Sequence, residues 1–392
     1  MKLKLFGIGA AGNKAAINAI NKGIITKDDV YLINTTTKDI PDEFKKGNAD
    51  KVIQFSSMLG GCGKEPDKGK KAMEEAIINN KIDFSDCIED DTNEVVLVTS
   101  TEGGTGCGAT PVIAKYFSMM NVPTHIYAFI GFQDETRGIN NTIKFFKNIE
   151  GDNIILHTIL NDQFLDYRNS YSAAEDAANN EFATQLKIIM GTKMIPSSQN
   201  IDDTDHYKIT ATAGYMDIKH VDLSGVKNIE MFNEIIIKTF DNNKGMDYDK
   251  SCKRLAVIIN ADERVQEAID SRLEVIKRYS GEPFETFRHI QNNPEDQDTY
   301  MDIILSGMNM PEKSIMDMYK KYQTLKEKVS SGVSGIDFSD MDTDDDEFDM
   351  GLKRRNTNAR QMFVNSLKPT PASKIVKDAG KVKIVTKTDE DY

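Results

Sequence analysis

The chain has 392 residues, 39% hydrophobic and 28% charged, with a formal net charge of −13, long enough for two domains and a tail. No apolar run reaches the ~18 residues of a membrane span, the first strand begins too near Met1 for a signal peptide, and the acidic balance disfavours broad nucleic-acid binding by the body. Four scattered cysteines without a C-x-x-C pair and five scattered histidines suit neither disulfides nor zinc, so a cytoplasmic protein is expected.

Residues 1–161 alternate strands with helices. Strands are predicted over Leu3–Gly7, Asp29–Asn34, Lys51–Phe55, Glu94–Thr99, Thr124–Phe132 and Asn153–Leu160. Helices are predicted over Asn13–Asn21, Lys68–Asn80, Ala109–Met119 and Gly138–Asn148. This order implies a doubly wound parallel sheet, whose ligands bind beyond the carboxyl ends of the strands. A long helix follows over 171–190, with Ala174, Ala178, Phe182, Leu186 and Ile189 near one face and Gly191 as its stop. The next block mixes strands (Ile235–Thr239, Arg254–Asn260, Pro283–Ile290, Met301–Leu305) with a helix near Asp262–Arg278. A last helix, Pro311–Val329, precedes an acidic stretch, Asp337–Asp349, and a basic one, 351–388. The expected division is a nucleotide-binding domain (1–170), a core helix with an acidic loop (171–205), a smaller α+β domain (206–310), a C-terminal helix (311–330) and a charged tail (331–392). Such charge blocks are usually solvated and poorly ordered.

Three glycine-rich loops fall at the same edge of the expected sheet. The first runs from Gly7 through Gly9, Ala10 and Ala11 to Gly12 and Asn13, a formal G-x-G-x-x-G. The second is Gly60–Gly69. The third is Gly103-Gly104-Thr105-Gly106-Cys107-Gly108, between an apolar strand and a helix with Pro111 in its first turn. Strand, glycine turn and helix start offer backbone N–H groups to a phosphate. An NAD site would want a carboxylate after the second strand, but that strand ends Asn34-Thr-Thr-Thr37, and no G-x-x-x-x-G-K-[ST] occurs. Three such loops together suit a triphosphate. A Rossmann-type metabolic enzyme and a nucleotide-binding protein without turnover are the other classes.

In combination these loops resemble the tubulin/FtsZ superfamily of polymerising GTPases. Gly103–Gly108 is similar to its G-G-G-T-G-[ST]-G signature, Gly61–Gly69 to a G-x-G-x-x-P-x-x-G of the FtsZ branch, and Asn34-Thr35 and Asn161-Asp162 to its short loops. The resemblance covers roughly residues 1–210. Ala177-Ala-Asn-Asn180 resembles A-A-N-D and places Asn179 where guanine is read. Glu135 resembles a ribose-side glutamate, and Arg137 could reach phosphates or base. Two departures stand out. Glu102 replaces the first signature glycine, and Cys107 replaces Ser or Thr. A carboxylate beside a phosphate would repel it unless it points away or helps hold Mg²⁺.

Asn200-Ile-Asp-Asp-Thr-Asp205 resembles the family's N-x-D-x-x-D. By residue type alone, Asp202 reads equally as a helix N-cap. The resemblance implies GTP and Mg²⁺ as cofactors and head-to-tail homopolymerisation. It also implies hydrolysis by Asn200, Asp202 and Asp205 of one subunit over the nucleotide of the next. The closing helix and basic tail are similar to the TubZ-type proteins of plasmids and phages, implying DNA segregation through a DNA-bound adaptor. Direct DNA contact would be secondary, and no membrane partner is expected. The C-terminal sequence does not resemble the hydrophobic terminal peptide of FtsZ. An FtsZ-like division filament is the alternative within the family.

Overall fold

In the computed structural model, which describes residues 2–46, 49–56, 61–166, 170–191, 200–261, 266, 273–291 and 298–331, the apolar runs become strands covered on both faces. They are β1 (Leu3–Ile8), β2 (Val30–Asn34), β3 (Val52–Gln54), β4 (Glu94–Ser100), β5 (Thr124–Ile130) and β6 (Ile154–Leu160). All pair in parallel, in the order β3-β2-β1-β4-β5-β6. Near-continuous apolar strands suit a sheet with helices on both sides. One face buries Phe6, Phe84, Tyr116 and Phe117 beneath α3 (Pro66–Ile78), α4 (Thr105–Met119) and α5 (Thr136–Lys147). The other buries Ala15, Ala16, Ala19, Phe182 and Leu186, from α1 (Gly9–Asn21) and α6 (Tyr171–Met190). A short helical turn, α2, spans Asp42–Lys45.

The sheet does not stop at the expected domain boundary. β7 (Gly214–Asp222) joins β6 in parallel through only Ile155–Gly214 and Leu156–Tyr215. Beyond it, β10 (Tyr300–Met308) runs antiparallel between β7 and β8 (Arg254–Asn260), and β9 (Glu285–Gln291) lies parallel to β8. The join between the two halves of the sheet is therefore continuous but narrow.

Several boundaries differ from the sequence expectation. Ile235–Thr239, expected as a strand, lies inside the helix α8 (Ile229–Asp241). Its three isoleucines mimic a strand, but only Ile236 is buried among them, Ile237 is exposed, and Asn228 caps the helix. β7 was not among the expected strands, and it carries Asp217 and Lys219. Both are buried and pair with each other at 2.8 Å. α1 and α4 each start four residues early, taking the glycine turns into their first turns. Pro111 is thus the seventh residue of α4, not part of its first turn, and Cys107 loses the N–H it would have accepted from.

α6 stops at Gly191, whose φ is +76°. α7 (Asp203–Thr210) follows the acidic loop, α9 (Leu273–Ser280) is the described part of the helix expected near 262–278, and α10 (Glu312–Ser331) is the C-terminal helix. Ile315, Met318, Tyr319, Tyr322 and Leu325 of α10 pack on Ile130, Ile139, Ile143 and Phe146, so α10 lies along α5. The acidic and basic tail from 332 onward and Gly60 of the second glycine loop lie outside the described residues.

Candidate functional site

α1 begins directly after β1 and α4 begins one four-residue turn after β4, on neighbouring strands at one end of the sheet. Neither helix start has a side-chain cap or an acidic residue in its first turn. Their first N–H groups therefore lack intrahelical acceptors, and two positive dipole ends share one place. The two turns touch. A Cβ added at Gly9 would lie 3.1 Å from the Gly106 nitrogen, and one at Gly106 would lie 2.9 Å from the Ile8 carbonyl oxygen and overlap Thr99. Glycine at 106 is thus demanded by close approach. Gly104 is likewise packed, against Cys62 and Glu65. By contrast, a side chain at Gly103 would meet nothing within 4 Å. The nearest groups to one at Gly61 or Gly63 would be Thr35 Oγ1 at 3.6 Å and Glu65 Oε1 at 4.0 Å. Those three glycines border open space, and Ala10 and Ala11 are exposed beside them. This edge is an anion cradle.

Side chains converge on its rim. The hydroxyls of Thr35 and Thr105 are 3.1 Å apart, joining the loops after β2 and β4. Asn34 is buried, and its Oδ1 accepts from the Thr35 N–H at 2.9 Å, which fixes the turn. Glu135 pairs with Lys64, and Arg137 donates to the Gly63 carbonyl at 3.0 Å, so both tie α5 to the second glycine loop. Asn141, one turn further along α5, donates to the carbonyls of Lys64 and Glu102 at 3.1 and 2.8 Å. Lys64 and Asn141 were not singled out from sequence. The signal for Asn141 was its i+4 spacing from Arg137.

Near this edge, Asn13 and Asn161 carry buried amide atoms without a partner among the described residues. Asn13 is 3% exposed, with neither Oδ1 nor Nδ2 partnered among the described residues. Asn161, at the carboxyl end of β6, has an unpartnered Oδ1. Buried polar atoms are rarely left so, and a bound polar ligand would satisfy them. Half-buried Asn179 lies on α6, which the Asn18–Asn180 hydrogen bond of 3.2 Å holds against α1.

Glu102 points away from the cradle. Its carboxylate fills a slot that exists because residues 131 and 138 are glycines. A Cβ at Gly131 would overlap it, and one at Gly138 would lie 2.8 Å from Oε1. Burial pushes its pKa up to about 7; Lys64 opposes the rise, and Glu135, Asp134 and Asp162 add to it. Cys107 also turns away, its thiol donating to the Asn141 carbonyl at 3.3 Å, and burial pushes it up to about 12. Both departures from the signature thus place their side chains against α5 and the end of β5.

The acidic loop lies elsewhere. Asp202 is exposed and caps α7, accepting from the Asp205 N–H at 2.8 Å. Asp205 pairs with Lys208 at 3.1 Å, and Asn200 is exposed. The capping role and an exposed acidic face coexist. Tyr171, at the start of α6, bonds Asp134 near the cradle, whereas Ile188, near its end, accepts from His206 of α7. Seventeen residues of helix separate those contacts, about 26 Å at 1.5 Å per residue. In one subunit, then, Asn200, Asp202 and Asp205 sit far from the cradle.

Residues 2–169 match the Tubulin/FtsZ family, GTPase domain. The chain is 28% identical over 213 residues to the cell division protein FtsZ of Aquifex aeolicus, covering 52% of this chain and 55% of that protein. Among solved structures it superposes on TubZ of Clostridium botulinum phage c-st with a TM-score of 0.64 at 18% identity, covering 84% of this chain and 99% of the other. It superposes on CetZ2 of Haloferax volcanii, in a GTPγS-bound protofilament, with a TM-score of 0.67 at 16% identity, covering 84% and 100%. At those identities the structures speak for the fold alone. With a sheet edge that suits an anion and a family match over the residues that build it, residues 2–169 form a Tubulin/FtsZ-family GTPase domain.

Proposed function

We propose that this chain is a filament-forming GTPase whose active site is completed by the next subunit. The observation that carries the reading is the separation of the cradle from the acidic loop by about 26 Å of α6. Neither half hydrolyses a nucleotide alone. The uncapped starts of α1 and α4, with Gly9, Ala10, Ala11, Gly103, Gly104, Thr105 and Gly106, hold the phosphates. Gly61, Gly63 and Asn34 shape the loops around them. Asn13 and Asn179 read the base, and Asn161, Glu135 and Arg137 close the ribose side. Mg²⁺ bound with the nucleotide would neutralise phosphate charge, and the Thr35 and Thr105 hydroxyls are rim oxygens that would help hold it.

Stacking subunits head to tail brings Asn200, Asp202 and Asp205 over the γ-phosphate of the neighbour. The carboxylates of Asp202 and Asp205 then orient a water for in-line attack. Such a contact is heterologous and does not close, so it builds a filament. The protofilament form of CetZ2 supports this mode of assembly. In Asp202→Ala and Asp205→Ala, GTP binding should persist while turnover falls at least 100-fold and filaments outlive those of the wild type. Normal phosphate release from the double variant would refute the assignment.

Within the family we favour DNA segregation through an adaptor, on the basic block 351–388 that follows α10. Deleting 351–392 should leave GTPase activity and filaments intact and abolish adaptor recruitment. Loss of filaments would instead favour a structural tail. The similarity to FtsZ of Aquifex aeolicus keeps a division filament as the second reading.

A further inference from the structure

Beneath the sheet, at the edge opposite the cradle, runs a chain of buried polar side chains that the proposed chemistry does not use. Glu94 opens β4 and is fully buried. Its Oε1 accepts from the Thr210 hydroxyl at 2.7 Å, and its Oε2 lies 3.2 Å from His125 Nε2. His125 Nδ1 lies 2.9 Å from His157 Nε2, and His157 stacks on Tyr127 with centroids 4.1 Å apart. Burial, then His125, holds His157 well below its ordinary value, so it is neutral. Four strand residues and the last residue of α7 are thus joined in an interior where an unbonded carboxylate would be costly.

We infer that Glu94 and Thr210 form a latch that sets the seating of α7, and through it the placement of Asp202 and Asp205 against the neighbouring subunit. This rests on the head-to-tail reading above. α7 has eight residues, too few to be stable alone. Its leading end is capped by Asp202, the group that must be aimed, and is held by the Ile201 N–H on His289 and by His206 on the Ile188 carbonyl. Its trailing end is fixed by Thr210 on Glu94 and by Arg254 on the Thr212 hydroxyl. An eight-residue helix is a lever about 12 Å long. A tilt of about 5° at Thr210 moves Asp202 by about 1 Å, a displacement that can cost about 100-fold in rate. Glu94 and Thr210 are positioning residues.

The test uses the full chain and Thr210→Val, Thr210→Ser, Glu94→Gln and Asp202→Ala. Monomer GTP affinity, GTPase rate per assembled subunit and filament lifetime are measured in parallel. Thr210→Val should keep GTP affinity within about twofold and still assemble, with turnover reduced at least tenfold and filaments prolonged, while Thr210→Ser restores turnover. Glu94→Gln keeps an amide oxygen to accept from Thr210 and should hold turnover within about threefold of wild type, so that only loss of the bond itself gives the split. A purely structural role would lower affinity, assembly and turnover together in Glu94→Gln and Thr210→Val alike, and would overturn the latch. Wild-type turnover in Thr210→Val with an inactive Asp202→Ala would sink the latch alone. An active Asp202→Ala would sink the head-to-tail reading beneath it.

Discussion

Replacing Glu102 by glutamine should stabilise the nucleotide-free protein, and only above acidic pH. In the folded chain this carboxyl sits against Gly131 and Gly138 with a pKa near 7, raised from 4.5 by burial and by Glu135, Asp134 and Asp162 against the pull of Lys64. A raised carboxyl favours the fold while protonated, and that contribution is lost as pH climbs from the unfolded value through the folded one. At about 1.4 kcal/mol per pH unit the ceiling is about 3.5 kcal/mol. The group is only half-buried, so solvent screening lowers the expected gain to about 1–2 kcal/mol. Glutamine keeps the shape without the charge. Melting curves of both proteins at pH 5 and pH 8 should nearly coincide at the lower pH and differ by about 2–4 °C at the higher, the variant being more stable. Most of the gap opens between pH 5 and pH 7.5. Equal melting at pH 8, or a less stable variant there, would show that the slot is built for a charged carboxylate.

Asn13→Ala should change the melting of the nucleotide-free protein by less than about 1 kcal/mol, because the amide it removes is buried without partners. GTP affinity should drop at least tenfold, as read by titration calorimetry; unchanged affinity would place the base elsewhere. Met318→Ala empties the contact of α10 with Ile139 and Ile143 and should cost about 2–3 kcal/mol locally. The readout is faster proteolytic cleavage within α10 at unchanged GTP affinity, and wild-type resistance would mean that α10 is held by other contacts.

How much was legible follows from which forces act locally. The parallel half of the sheet was readable because its strands are buried on both faces, so their apolar runs carry no ambiguity. The smaller half was less so. β7 hides the Asp217–Lys219 pair, and three consecutive isoleucines in α8 carry a strand's propensity within a helix. At the site, the glycine motif marked the cradle but did not sort its glycines. Only packing separates Gly104 and Gly106, which abut neighbouring chain, from Gly103, Gly61 and Gly63, which border open space.

The sequence by itself determined the order of strands and long helices over residues 1–190, the three glycine loops and the acidic hexapeptide, since each is written in contiguous residues of fixed spacing. Tertiary structure alone decided where side chains from distant segments meet. It turned Glu102 into the glycine slot at 131 and 138, set Asn141 across two loops, and joined Glu94 to Thr210 beneath the sheet. It also set the acidic loop a helix length from the cradle. Those arrangements depend on helix packing and strand register, which act between residues far apart in the chain and leave no local pattern to read.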